Sequence, residues 1–265
     1  NLAANEVNSV TRRSLGLLLI VAFASAPALA ATLEGNGVAL EVSEKAPLGI
    51  IAVRHGPNAP ALFVTGEQVE KTWELVMIDP EGNELKLDPV TKNLGGNVAL
   101  ADKKLTMVWD SAEVPGGTVK VSCSFEPDAE QPLIYGNIAV DNNSDCQLRE
   151  VQFPRMTLVP NPEPAENITL VFPRAYGRSW RNPFDAPYGY LVGTMEPAGF
   201  RGSAEMQFGT IYDDAGNGLY WAAYDGEGYH KRFVYDNKEV RGQIQLKLGY
   251  MPENCLTPGL DFESP

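Results

Sequence analysis

Histidine and cysteine are scarce in this chain, and their scarcity narrows the chemistry open to it. The 265 residues include two histidines, His55 and His230, and three cysteines, Cys123, Cys146 and Cys255. A histidine-rich zinc site would need both histidines with carboxylate or thiolate help, and no HExxH, CxxC or GxSxG pattern is present. Three scattered cysteines are too few for a disulfide framework, although one pair could form in an oxidising compartment. The sequence therefore predicts no metal site and no cofactor.

Positive charge and phosphate-binding glycine loops are also in short supply. The chain has 21 Lys and Arg against 34 Asp and Glu, a formal net charge of −13 at pH 7. This excess of negative charge opposes binding to nucleic acid and to anionic lipid. The 25 glycines do not fall into GxGxxG or GxxxxGKS/T spacing, which argues against a nucleotide-binding loop. Nucleic acid is therefore not an expected partner.

The first thirty residues have the three-part form of a secretory signal. Arg12 and Arg13 precede an apolar run over 15–24, and a small-x-small sequence follows at 28–30. The apolar run is shorter than the roughly 20 residues that a membrane-spanning helix needs. We therefore expect cleavage after Ala30 and a secreted or periplasmic protein with no membrane contact after cleavage. A retained membrane anchor is the alternative.

Turn-forming residues are plentiful, and they indicate many short strands. The 25 Gly and 20 Pro are spread through the chain, and no convincing amphipathic helix follows residue 32. Apolar residues alternate with polar ones over 118–125, which is typical of an antiparallel strand with one face in water. The regular spacing of strands and turns predicts an all-β fold, a large antiparallel β-supersandwich, as one domain over 31–265.

The stretch 204–236 is the most informative part of the sequence. Two runs rich in β-branched and aromatic residues, 206–212 and 219–224, flank a turn sequence, and this predicts a hairpin. Both faces of the second run are apolar or aromatic, so we expect a central strand that is covered on both sides. Asp225 ends this strand where the sheet meets a loop, and its simplest interpretation is a turn acid.

Aromatic and arginine side chains gather in the Pro-rich segment 154–200 and in the hairpin after it. Sugar rings present apolar C–H faces on which aromatic rings stack, while charged and amide groups bind the hydroxyls. The predicted sugar contacts are Arg174, Tyr176, Trp180, Gln207 and Asp225. Tyr188 and Tyr224 are further candidates for stacking. Packing in the core or at a sheet edge is the alternative for each aromatic residue.

Acidic residues are abundant, so carboxylate chemistry also has to be considered. Glycoside hydrolysis needs two carboxyl groups about 5–10 Å apart across a sugar. The adjacent Asp213 and Asp214 are more simply explained as part of a hairpin turn. No catalytic residue is therefore assigned to this chain.

Four short motifs occur in an order that resembles a known family. They are VQFPR at 151–155, VFPRAYG at 171–177, MQF at 206–208 and GLYWAAYD at 218–225. Together they resemble the N-terminal β-supersandwich of secreted bacterial glycoside-hydrolase-like proteins, a family of uncharacterised relatives of the endo-α-N-acetylgalactosaminidase group. The resemblance covers roughly residues 33–265 and implies a galactose-mutarotase-like sandwich that precedes a (β/α)8 barrel.

The resemblance also implies a division of labour between two domains. In such proteins the sandwich packs on the barrel and lends loop residues to the sugar site, while the catalytic carboxylates sit on the barrel. A catalytic barrel is therefore expected after residue 265, and this fragment is not expected to be catalytic alone. The histidine and glutamate arrangement of the aldose epimerases that share the fold is not evident, so mutarotase activity is not expected.

Two main hypotheses follow for function. The first is an N-terminal accessory domain of a secreted glycoside hydrolase, with an oligo- or polysaccharide and the C-terminal barrel of the same chain as partners. The second is a stand-alone carbohydrate-binding or cell-envelope module without catalysis. A weaker third possibility is the accessory sandwich of a polysaccharide lyase.

Overall fold

The protein folds almost entirely into antiparallel strands. The computed structural model describes residues 30–56, 61–64, 71–160, 165–172, 177–185, 190–195, 207–225, 230–236, 242–252 and 257–264. Within these ranges there are twenty strands and one 3-10 turn, Ala165–Asn167, so the all-β prediction is confirmed. In the described part of the chain, no helix is long and apolar enough to cross a membrane.

The strands vary from two to fourteen residues in length. In chain order they are β1 Ala30–Glu34, β2 Ala39–Ser43, β3 Ile50–Arg54, β4 Ala61–Val64, β5 Glu74–Ile78, β6 Glu84–Leu87, β7 Gly96–Ala101, β8 Lys104–Trp109, β9 Ala112–Val114, β10 Gly117–Pro127, β11 Ile134–Asn143, β12 Gln147–Pro160, β13 Thr169–Phe172, β14 Arg178–Arg181, β15 Tyr190–Met195, β16 Phe208–Tyr212, β17 Gly218–Ala222, β18 His230–Asp236, β19 Ile244–Met251 and β20 Phe262–Glu263.

Hydrogen bonding sorts these strands into three connected sheets. The ten-stranded sheet has the order β1-β2-β3-β4-β12-β19-β18-β15, and β5 joins it by pairing with both β12 and β6. The six-stranded sheet has the order β20-β11-β10-β8-β7, with β9 paired to β10. The four-stranded sheet has the order β14-β13-β16-β17. The most C-terminal described strand, β20, thus lies beside β11 from the middle of the chain.

Strand β12 links the two halves of the ten-stranded sheet. One edge of β12 pairs with β19, whereas the other edge pairs first with β5 and then, at its end, with β4. The register with β19 shifts between Gln152 and Arg155, which brackets Pro154. Proline has no N–H to give to a strand ladder, so a bulge is the conformation that accommodates it. Because of this shift, the single strand β12 can pair with two partners that are aligned differently.

Buried apolar residues from all three sheets form one core. On β10, the side chains of Val119, Val121, Cys123 and Phe125 are each at most 4% exposed, as the alternation over 118–125 predicted. Because side chains alternate along a strand, the opposite face of β10 is left to polar residues. The ring centroids of Phe125 and Phe153 lie 5.8 Å apart, which joins the two sheets through an aromatic contact.

The predicted hairpin over 204–236 forms, but its second strand is not central. Strands β16 and β17 pair antiparallel, and the Asp213 carboxylate accepts hydrogen bonds from backbone N–H groups of the turn. Strand β17 is an edge strand, and the Tyr220 side chain on it is 46% exposed. The expectation of a strand covered on both sides was therefore wrong. Tyr220 is covered in part by stacking on Phe208, at 5.7 Å between ring centroids, instead of by a second layer.

The face of β12 that points away from this core is polar but buried. Glu150 accepts two hydrogen bonds from Nη2 of Arg232 at 2.7 Å, and Glu74 accepts one from Nη1 of Arg155 at 2.5 Å. Glu150, Glu74 and Arg155 are each at most 9% exposed. Buried charges are costly unless they are paired, so these two ion pairs hold β5, β12 and β18 in register.

Gly249 on β19 leaves room for the Glu150–Arg232 ion pair. A Cβ atom at this position would collide with Oε1 of Glu150. We expect Gly249→Ala to lower the free energy of unfolding by about 1–3 kcal/mol, because the displaced carboxylate would leave Arg232 without its partner. Urea denaturation measures this. In a Glu150→Ala background the same substitution should cost clearly less, and an equal cost in both backgrounds would contradict this explanation.

Candidate functional site

A cleft opens where the three sheets meet. Its walls come from β2, β3, β12 and β19 of the ten-stranded sheet, β10 and β11 of the six-stranded sheet, and β17 of the four-stranded sheet. Its volume is about 360 Å³, which lies at the lower end of the range for small-molecule sites, about 300–1,000 Å³. The floor is apolar and includes Leu40, Ile50, Phe125, Phe153 and Met156. The cleft is thus large enough for a ligand of a few rings.

Three tyrosines, which we call the tyrosine cluster, line the mouth of this cleft. Tyr135, Tyr220 and Tyr224 are 40%, 46% and 62% exposed, which is unusual for large aromatic side chains grouped together. The ring of Tyr135 meets that of Tyr224 edge to face, at 5.9 Å between centroids and 79° between planes. The cluster therefore brings together two sheets, since Tyr135 lies on β11 and Tyr220 on β17.

Hydrogen bonds fix the tyrosine cluster. The Tyr135 hydroxyl donates to Oδ2 of Asp128 at 2.9 Å, and Oδ1 of Asp128 accepts from the backbone N–H groups of Glu130 and Gln131. This hydrogen bond raises the pKa of Tyr135, and the backbone donors, together with Tyr135, lower the pKa of Asp128. Burial and a hydrogen bond with Tyr224 raise the pKa of Tyr220. These two tyrosines therefore remain neutral, and the rings keep their apolar faces open to the cleft.

Few polar groups line the cleft. The Arg54 guanidinium donates to both carboxylate oxygens of Glu41, from Nε at 2.6 Å and from Nη2 at 3.1 Å. His55 and Asn137 also line the cleft and are exposed. The Asn137 amide has no hydrogen-bond partner among the described residues, so it can both donate to a ligand and accept from it.

The described residues that line the cleft include no Asp and no Glu. Glycoside hydrolysis by acid and base needs a pair of carboxyl groups across the sugar. The described lining instead offers aromatic surface with amide and imidazole groups. Nor does any group of three or more His, Cys, Asp or Glu side chains come close enough to hold a metal ion within the described ranges.

The structure brings two of the predicted sugar contacts together beside the tyrosine cluster. Nε2 of Gln207 donates to the backbone carbonyl of Asp225 at 3.3 Å, and the Gln207 carbonyl accepts from the Ala223 N–H at 2.9 Å. These two bonds fix the backbone at Ala223 and Asp225, the residues immediately before and after Tyr224. Gln207 thus supports the segment that carries Tyr224.

The Asp225 carboxylate is buried and forms an ion pair with the Lys231 ammonium group. The two side chains are 0% and 1% exposed. The Asp225 charge also contributes to the raised pKa of Tyr250, after the larger effect of burial. Asp225 is therefore held below the surface that carries Tyr224.

Of the other predicted sugar contacts, Trp180 lies away from the cleft. Trp180 is on β14 opposite Leu170, where it packs half-buried against the core. Leu170 pairs in turn with Ile211, which places Trp180 roughly 13 Å along the sheet from Gln207 at about 3.3 Å per residue. Arg174 and Tyr176 lie outside the described residues, as does Tyr188. The sugar-binding roles of these residues stay predictions.

Sequence reasoning singled out Tyr224 but missed Tyr135, Tyr220 and Asn137. Sequence reasoning did not select Tyr220, because both faces of its strand are apolar or aromatic and this pattern predicts a strand covered on both sides. Tyr135 and Asn137 were missed because only the pairing of whole sheets brings β11 to the end of β17. The one local signal available was the turn at 128–132, in which Asp128 accepts a hydrogen bond from the exposed Tyr135.

Comparison with known proteins supports the fold and does not identify a family. No protein-family model and no curated protein match this chain. Among solved structures, the chain is similar to a GH36 α-galactosidase from Geobacillus stearothermophilus in complex with 1-deoxygalactonojirimycin, with a TM-score of 0.56 and 9% identity. The match covers 89% of this chain, which spans 40% of the α-galactosidase chain. At this identity the likeness shows the fold alone, that of an all-β domain.

Proposed function

We propose that this chain is the N-terminal accessory domain of a secreted glycoside hydrolase. In this proposal it is a galactose-mutarotase-like supersandwich that packs against a (β/α)8 barrel of the same protein and contributes carbohydrate contacts. The fold likeness to part of a GH36 α-galactosidase supports the relation to glycoside hydrolases. The signal-like sequence over 1–30 supports export.

The observation that carries the carbohydrate-binding role is the exposed tyrosine cluster at the mouth of a cleft. Tyrosine rings provide apolar surface for the C–H faces of sugars and lose little side-chain entropy when a ligand binds. The free amide of Asn137 is suited to the hydroxyl groups at the edge of a sugar ring. Catalysis is assigned to the barrel, because carboxylates are absent from the described lining of the cleft.

Replacing Tyr224 with alanine tests this role directly. We expect Tyr224→Ala to weaken glycan binding about tenfold or more, which corresponds to about 1.4 kcal/mol, because the most exposed ring of the cluster is lost. Binding is measured by affinity electrophoresis of the purified chain in gels that contain galactomannan, xyloglucan, galactan, pectate, alginate or chondroitin sulfate.

Tyr212→Ala is the matched control. Tyr212 lies on the same hairpin and is 37% exposed, but it does not line the cleft. This variant should bind like the unmodified protein, and both variants should keep the same melting temperature. Unchanged binding in Tyr224→Ala, or equal losses in the two variants, would refute the assignment of the cleft.

A stand-alone carbohydrate-binding or cell-envelope module is the second candidate. The exposed tyrosine cluster at the mouth of the cleft supports this candidate as well. The two candidates differ in what an attached barrel would change. If the chain works with a barrel, Tyr224→Ala in the full-length enzyme should raise KM for a polymeric substrate, whereas a stand-alone module has no attached activity to affect.

A further inference from the structure

The cleft contains little net charge for a ligand to meet. The basic side chains that line it are Arg54 and His55, in a lining where the described residues include no acid. Glu41 occupies the Arg54 guanidinium with two hydrogen bonds, and the side chains of this pair are only 26% and 21% exposed. A guanidinium held in this way by a carboxylate presents little attraction to a second anion.

The surroundings of the cleft oppose anions further. The protein carries a formal net charge of −13, and Asp128 lies directly behind Tyr135 at the mouth. A field of this sign lowers the local concentration of anionic ligands and slows their association. A carboxylated or sulfated polymer would therefore be repelled on approach and would meet an Arg54 guanidinium that is already paired with Glu41.

The remaining contact groups match an uncharged ligand. The exposed parts of the Tyr220 and Tyr224 rings suit apolar C–H surface, and the Asn137 amide suits hydroxyl groups. A Cβ at Gly136 would lie 3.0 Å from Phe125 and 3.6 Å from Phe153, so the glycine lets β11 pass close to these two buried rings at the floor. We infer that the cleft selects neutral glycan units over those that carry uronic acid or sulfate groups. This inference rests on the proposed carbohydrate-binding function.

A chemically matched pair of polymers tests the inference. Galactomannan is compared with the same galactomannan oxidised at C6, so that carboxylates replace primary hydroxyls on an otherwise unchanged backbone. We expect the oxidised form to bind at least about tenfold more weakly than the parent. Binding of the parent should change less than about twofold between 50 and 500 mM salt, because screening acts on charged contacts.

The Glu41→Gln variant provides a second test, in which affinity for the oxidised polymer should increase instead of decrease. Removing the Glu41 charge leaves the positive charge of the Arg54 guanidinium without the Glu41 carboxylate beside it. The variant should gain affinity for the oxidised polymer severalfold at 50 mM salt, lose that gain at 500 mM, and bind the neutral polymer as before. An unchanged preference in Glu41→Gln would contradict the role given to this ion pair.

The outcomes separate this inference from the proposed function. If only pectate, alginate, chondroitin sulfate or the oxidised polymer binds, and Tyr224→Ala abolishes that binding, the cleft is a carbohydrate site but its neutral preference is refuted. If none of the neutral or anionic polymers binds, the proposed function fails and this inference fails with it. Binding of neutral polymers that is lost in Tyr224→Ala supports both.

Discussion

Asp225→Ala is expected to lower the free energy of unfolding by about 3–5 kcal/mol, because it removes the carboxylate that pairs with the buried Lys231 ammonium group. The two side chains are 0% and 1% exposed, so water cannot replace the lost partner. Chemical denaturation by urea, followed by circular dichroism, measures the change. We also expect weaker glycan binding at temperatures where the variant stays folded, since Asp225 directly follows Tyr224.

Two further variants make the Asp225 prediction specific. Asp225→Asn combined with Lys231→Met removes both charges of the pair and should be more stable than Asp225→Ala, because a lysine ammonium is then not buried in the absence of the Asp225 carboxylate. Asp214→Ala breaks an ion pair with Arg181 whose side chains are 59% and 51% exposed, and it should change stability little. If Asp225→Ala and Asp214→Ala lower the free energy of unfolding equally, the buried ion pair contributes no more to stability than the exposed one.

Trp109→Ala should destabilise the protein by a similar amount, about 3–5 kcal/mol, because it opens a cavity between two sheets. Trp109 ends β8 of the six-stranded sheet and is 1% exposed, whereas Trp73 immediately precedes β5 of the ten-stranded sheet and is fully buried. Their rings meet edge to face, at 5.6 Å between centroids and 85° between planes. Thermal and urea denaturation both report the loss.

Trp109→Phe is the control for this contact. Phenylalanine keeps an aromatic ring against Trp73, and the indole nitrogen of Trp109 has no hydrogen-bond partner among the described residues. The substitution should therefore cost much less than alanine, on the order of 1–2 kcal/mol. If Trp109→Ala and Trp109→Phe lose the same stability, the aromatic contact between Trp109 and Trp73 does not itself stabilise the protein.

The parts of the fold that sequence could predict are those with a local cause. The alternation over 118–125 correctly gave the buried face of β10, because one side of that strand meets water and the other meets the core. The hairpin of β16 and β17 followed from turn residues between two β-rich runs. Both features depend on residues that are neighbours in the chain.

The parts that failed depend on long-range pairing. Whether β17 is a central or an edge strand depends on whether another strand pairs with its far side. The sequence GLYWAAYD does not show that Tyr220 faces a cleft. The meeting of Tyr135 and Tyr224 requires two sheets to assemble first. The ion pair between Asp225 and Lys231, six residues later, likewise depends on a side-chain position that only the fold reveals.

The central place of β12 has a consequence for how the protein is made. Strand β12 ends at residue 160, but β19, which pairs with it, begins at residue 244. At a synthesis rate of about 5–20 residues per second, the edge of β12 waits roughly 4–17 s for that partner. During this interval its unpaired N–H and C=O groups are exposed to other nascent chains, and unpaired strand edges promote aggregation. Until β19 has been made, this edge of β12 is therefore a site where non-native strand pairing can begin.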